Sequence, residues 1–195
     1  MPAGLVVLGA STGGPRALAV VLKGLQANLP VPVVVVQHIM TGFTGSLAAR
    51  LNQSVPLEVS EAYAGQRLCA GSALVSPGGQ HLFFDSARRI RLGFQPPRHG
   101  VRPSIDVTLE SAAERFGQNV VAVILTGMGR DGADGALRVK ERGGVVLAQD
   151  EASCAVFGMP KAVIQAGACD RVLALDAISL YLTGIVRRQI QRSEE

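Results

Sequence analysis

Apolar stretches with no polar alternation begin at Leu5, Val31, Val120 and Val145, and each has the length of a strand. A strand that is apolar at every position is one covered on both faces. Between these runs the apolar spacing changes to that of a helix. Ala17, Leu18, Val20, Val21, Leu22 and Leu25 form one such stripe, predicting a helix that ends near Asn28-Leu29-Pro30. Further helices are predicted over Ser46 to Leu51, Ala136 to Arg142, Pro160 to Ala166 and Ala177 to about Arg192. Ser104 reads as the N-cap of another, running to about Phe116, with Asp106 in a first turn where the helix dipole favours a carboxylate.

The middle of the chain is less regular. Leu57-Glu58-Val59 and Arg171-Val172-Leu173 are short strand candidates. Ser72 to Phe84 reads as two strands around Pro77-Gly78-Gly79, and the alternating run Arg89 to Phe94 as a more exposed antiparallel partner. Gln95 to Pro103 is a loop bearing Pro and Arg. Strands alternating with helices predict a doubly wound, three-layer α/β/α sandwich with a mostly parallel sheet and a small antiparallel hairpin portion. No repeat or linker divides it, and 195 residues fit a single domain over 1–195.

In such a sheet all strands present their C-terminal ends along one edge, where ligands bind near a switch in strand order. Three chemically useful residues follow such ends: Ser11, His38 and Asp131. The first lies in Gly9-Ala10-Ser11-Thr12-Gly13, a G-x-S-x-G pattern between a strand and a helix opened by Pro15. The same turn also suits an anion cradled on a helix N-terminus, or a plain structural cap. Nucleotide-binding versions fit poorly, because no Lys-Ser/Thr follows Gly14 and position 11 is not Gly.

A serine hydroxyl is a weak nucleophile until a base takes its proton, and that base needs an orienting acceptor. Ser11, His38 and Asp131 suit those three parts, and the order in the chain is no obstacle to a triad. A rival set in hydrolase order is Ser11, Asp85 and His99, but Asp85 and His99 lack an evident anchor. Asp134 competes with Asp131, or caps the following helix. His81 lies within the hairpin and reads as structural. Backbone N–H groups for an oxyanion are available at Thr12 and in the turn Gly127-Met128-Gly129.

Charge adds little to this picture. The formal net charge of +4 arises partly from Arg88, Arg89, Arg91, Arg98 and Arg102, with Arg187, Arg188 and Arg192 near the end. With no Trp and 4 % aromatic residues there is little to stack on bases, so nucleic acid is not expected; a solvated face or an acidic protein partner fits better. Cys69, Cys154 and Cys169 have neither disulfide-framework nor metal-ligand spacing. No run reaches the length of a membrane span and no leader precedes the first strand, so a cytoplasmic location without direct membrane insertion is expected.

Six blocks taken together resemble the catalytic domain of the chemoreceptor methylesterase family CheB. They are Gly9 to Gly14, Gln37-His38, Ser76 to His81, Arg102 to Val107, Ile124 to Gly132 and Glu151 to Pro160. The resemblance implies Ser11 as nucleophile, His38 as general base and acid, Asp131 as its orienting carboxylate, the Met128 N–H as oxyanion donor, and Thr12 in the site. It implies hydrolysis of glutamate γ-methyl esters on the cytoplasmic domains of methyl-accepting chemoreceptors, with deamidation of receptor glutamines by some members, and no metal or organic cofactor. Family members usually carry a response-regulator receiver before this domain. Here the chain begins at the first esterase strand, so an excised or free-standing domain is expected, with a separate receiver as a further partner. Val101 stands where a histidine is often found, and Ile39-Met40-Thr41 lacks prolines common after the base. A non-catalytic anion- or partner-binding module, and an esterase or amidase acting outside chemotaxis, are the alternatives.

Overall fold

The computed structural model describes residues 4–194, with side chains through residue 189. Seven strands form one sheet: β1 (Leu5–Ala10), β2 (Val33–Gln37), β3 (Glu58–Glu61), β4 (Ser72–Val75), β7 (Val120–Ile124), β8 (Val145–Gln149) and β9 (Arg171–Leu173). Every pairing in this sheet is parallel, in the order β3-β4-β2-β1-β7-β8-β9. β5 (His81–Phe84) and β6 (Ile90–Gly93) make a separate antiparallel hairpin. The helices are α1 (Gly14–Lys23), α2 (Thr44–Asn52), α3 (Ile105–Phe116), α4 (Ala133–Glu141), α5 (Met159–Gln165) and α6 (Ile178–Glu194).

The unalternating runs do what full burial on two faces requires. Val6, Leu8, Val33, Val35, Val121 and Val123 face a core completed by Leu18, Leu22, Leu47, Leu51 and Leu182 from α1, α2 and α6. Their neighbours Val7, Val34, Val36, Ala122 and Ile124 face the opposite core with Ile105, Leu109, Val139 and Met159 from α3, α4 and α5, and with Leu82 and Phe84 of the hairpin. The expected three-layer sandwich is therefore present.

Three local expectations are corrected. The strands within Ser72 to Phe84 do not pair with each other: β4 enters the parallel sheet between β2 and β3, and only β5 pairs with the Arg89–Phe94 run. The reason is burial, since Ala73, Leu74 and Val75 are shielded on both sides whereas the β5–β6 hairpin covers one face of α3. α1 stops at Lys23, five residues before Asn28, where Gly24 takes the C-cap. α4 begins at Ala133 rather than Ala136, because Gly132 (φ 99°) provides the left-handed turn that starts it.

Candidate active site

β1 is flanked by β2 and β7, and the chain crosses from one side of it to the other between them. The loops after these three adjacent strands therefore meet at a topological switch point. Ala10 pairs with Gln37 in register, and the His38 N–H donates to the Ala10 carbonyl at 3.0 Å, so Ser11 and His38 leave neighbouring strand ends side by side. On the other flank the Ser11 N–H donates to the Thr126 carbonyl at 3.0 Å, bringing the loop after β7 against the same turn.

Asp131 lies in that loop. Its Oδ2 accepts from His38 Nε2 at 2.7 Å and from the Ile105 N–H at 2.7 Å; its Oδ1 accepts from the Ser104 hydroxyl at 2.7 Å and the Asp106 N–H at 3.0 Å. The carboxylate thus sits on the N-terminus of α3, where unpaired N–H groups and the helix dipole favour negative charge. Burial opposes that charge. The hydrogen bonds from His38, the Asp106 and Ile105 amides and Ser104 outweigh it and hold the acid at about 2. A permanently ionised acceptor fixes the imidazole with Nε2 protonated, leaving Nδ1 as the nitrogen without a partner among the described residues.

Asp106, in the first turn of α3 where the dipole favours a carboxylate, is fully buried. Its Oδ1 accepts from the N–H groups of Gly132 and Gly135 at the start of α4, at 2.9 and 2.7 Å. His99 Nε2 donates to its Oδ2 at 2.9 Å. Burial and the neighbouring Asp131 push this acid up to about 6, against the Gly135 amide and Arg98. His99, Asp106 and Asp131 offer ligand atoms within 4.8 Å of one another. These carboxylates already receive N–H and hydroxyl donors, so a cation there would have to displace them.

The rival groupings come apart in space. Asp85 caps the hairpin turn, its Oδ1 accepting from the Arg89 N–H at 2.8 Å, while His99 is engaged by Asp106. Asp134 caps nothing; it pairs with Arg98 and Arg130. His81 is buried and structural as expected: Nδ1 accepts from the Ser104 N–H and Nε2 meets the Pro96 carbonyl, with burial lowering its pKa. The arginines expected on a solvated face are partly engaged within the chain. Arg88 and Arg91 lie over the rings of Phe116 and Phe83, Arg98 reaches Glu110, and Arg102 reaches the Phe94 and Gln95 carbonyls. The side chain of Arg192 lies outside the described residues.

The sequence reading gave no role to Gln37 or Thr126, yet both hold the rim together. Gln37 Nε2 donates to the carbonyls of Ser11 and His38, each at 3.0 Å. A side chain at Gly14 would collide with its Oε1, so the small residue and the amide are matched. Thr126 Oγ1 donates to the Thr12 carbonyl at 2.9 Å and accepts from the Val156 N–H. The signal for Gln37 was a polar residue ending a wholly apolar run. Thr12 and Met128 are exposed, and neither N–H donates to a protein acceptor among the described residues. A methyl group on Gly127 would fall 2.7 Å from the Ser11 Cβ, which brings this turn close to the hydroxyl. An open cleft of about 660 Å³ leads away from His38 between Ile39-Met40-Thr41 and Pro97, Gly100, Val101 and Arg102.

The CheB methylesterase family model matches residues 6–182, a span that contains all of these loops. A protein-glutamate methylesterase/protein-glutamine glutaminase of Symbiobacterium thermophilum is 46 % identical over 186 residues, covering 95 % of this chain and 51 % of the relative. One from Anaeromyxobacter dehalogenans is 49 % identical over 183 residues, covering 94 % of this chain and 53 % of the relative. The chain spans about half the length of these curated relatives. In structure it is similar to the Thermotoga maritima CheB methylesterase catalytic domain, with a TM-score of 0.92 and 44 % identity over 93 % of this chain and 98 % of that one. Likeness of this extent, carried through sequence and fold alike, leaves one conclusion: the chain belongs to the CheB methylesterase family.

Proposed function

We propose that this domain is a serine hydrolase that removes methyl groups from glutamate γ-methyl esters on the cytoplasmic helices of chemoreceptors, and hydrolyses receptor glutamine amides by the same chemistry. The observation that carries this reading is the 2.7 Å bond from His38 Nε2 to Asp131, made beside Ser11 at the shared rim of β2, β1 and β7.

Ser11 Oγ attacks the side-chain carbonyl carbon while its proton passes to His38 Nδ1. Asp131 stabilises the imidazolium without accepting its proton, as its acidity requires. The new oxyanion is received by the N–H groups of Thr12 and Met128, each worth about 100- to 1,000-fold in turnover if it behaves as other such donors do. His38 then protonates the departing methoxide as methanol, or the amide nitrogen as ammonia. Water attacks the acyl-serine, gives its proton to His38, and releases the glutamate carboxylate with Ser11 restored.

Exposed Met40 and Met128 give the rim apolar, adaptable surface suited to a protein substrate. No helix among the described residues is long and apolar enough to cross a membrane. A cytoplasmic location belongs to the proposal, since the proposed substrate is a cytoplasmic segment of the receptor. A response-regulator receiver, joined to this domain or separate, is the proposed regulator. The reading is tested with Ser11→Ala, which is expected to fold normally and release no methanol from methylated receptor. A fluorophosphonate is expected to label the wild type at Ser11 alone. Undiminished methanol release from Ser11→Ala rejects the assignment.

A further inference from the structure

The wall of the cleft opposite Ile39-Met40-Thr41 is a tight turn. The N–H of Arg98 donates to the Val101 carbonyl and the N–H of Val101 returns to the Arg98 carbonyl, at 3.1 and 3.0 Å. Its two central residues, His99 (φ 52°) and Gly100 (φ 76°), are both left-handed. That is the type I′ geometry, which Asn and Gly adopt most readily and His at a cost. Gly100 and Val101 line the cleft, while the His99 imidazole turns inward to Asp106 at 2.9 Å.

We propose that His99 is a positioning residue: its bond to Asp106 latches the cleft wall to the scaffold that carries Asp131, and so sets how the cleft receives the substrate segment around the reacting glutamate. The proposal rests on the esterase reading above and concerns substrate reception, not the chemical step. The path is short and continuous. His99 holds Asp106, Asp106 holds the first N–H groups of α4, and Asp131 lies one residue before Gly132 with its own grip on α3 and His38. The charges facing His99 come from every element around it. Asp106 belongs to α3, Asp134 (3.9 Å) to α4, Asp131 to the preceding loop and Arg98 to the turn itself.

His99→Asn and His99→Gly test the latch, because both residues fit the left-handed position while neither carries an imidazole to reach Asp106. Steady-state kinetics on a methyl-esterified receptor cytoplasmic fragment are expected to show KM raised at least fivefold with kcat within twofold. Unchanged KM in both variants overturns the latch. So does a kcat loss larger than the KM change, which would assign His99 to the chemistry. Fluorophosphonate labelling of wild-type Ser11 separates the two readings: its absence rejects the esterase, whereas labelling with unchanged KM in the variants rejects the latch alone.

Discussion

Asp131 and Asp106 exchange helices. Asp131, just ahead of α4, accepts the N–H groups of Ile105 and Asp106 at the start of α3. Asp106, in the first turn of α3, accepts the N–H groups of Gly132 and Gly135 at the start of α4. Each carboxylate satisfies donors that its own helix cannot, and the two helix starts are locked together. The two acids differ in charge: burial, with the nearby Asp131, raises Asp106 to about 6, whereas the donors on Asp131 outweigh its burial and hold it at about 2.

Asp131→Asn is expected to reduce kcat about 10⁴-fold, by analogy with other triads in which an amide favours the wrong imidazole tautomer. The amide must also turn its NH₂ toward two of the four donors, costing about 1–3 kcal/mol in a urea melt. Asp134→Asn, which breaks only partly exposed pairs with Arg98 and Arg130, is expected to change kcat by less than about threefold. Methanol release compares the two, and equal losses would remove Asp131 from its role.

Asp106 gives stability a pH dependence of definite sign. A carboxyl raised in the folded state contributes stability that is complete below its ordinary value of 3.8 and is lost as pH rises through about 6. The stability of the wild type relative to Asp106→Asn should therefore fall between about pH 4 and pH 7 and level off above. Urea midpoints of both proteins across that range check it, and a flat difference would show that Asp106 titrates normally.

Gln37→Leu removes the donor shared by the Ser11 and His38 carbonyls. The Ser11 carbonyl keeps the Gly14 N–H at 2.8 Å, while the part-buried His38 carbonyl loses this donor, an expected cost of about 1–3 kcal/mol. Because both carbonyls belong to the proposed reacting residues, kcat is expected to fall more than tenfold under conditions where the variant is still folded. Circular dichroism melts alongside methanol release distinguish the two effects.

Gly127→Ala places a methyl group 2.7 Å from the Ser11 Cβ and 2.5 Å from the Met159 sulfur. Met159 can yield, but the Ser11 backbone is pinned by Thr126 and Gln37. The expected result is a 10- to 100-fold slower reaction with fluorophosphonate and a loss of about 1–3 kcal/mol in stability. Labelling rates measured by intact mass give the first number and denaturant titration the second.

Strands, layers and the rim where loops gather follow from local patterning in the chain. A short β-branched run such as Val33 to Val36 reads as a strand buried on both faces, and parallel strands align their ends whatever the details of packing. Ser11 and His38 were legible for that reason, each lying one residue past such an end, and so was Ser104, whose cap chemistry is local. Which neighbours each long-range group would find depended on how distant segments came together in folding. Nothing in the pattern around Asp106 marks it as the acceptor for α4, since its donors lie 26 and 29 residues away. The separation of β4 from β5 was hidden likewise, because strand propensity says that a segment extends but not which edge it meets. Gln37, Thr126 and His99 act through carbonyls and carboxylates brought to them by folding, and a hydrogen bond across such distances leaves no periodicity to read.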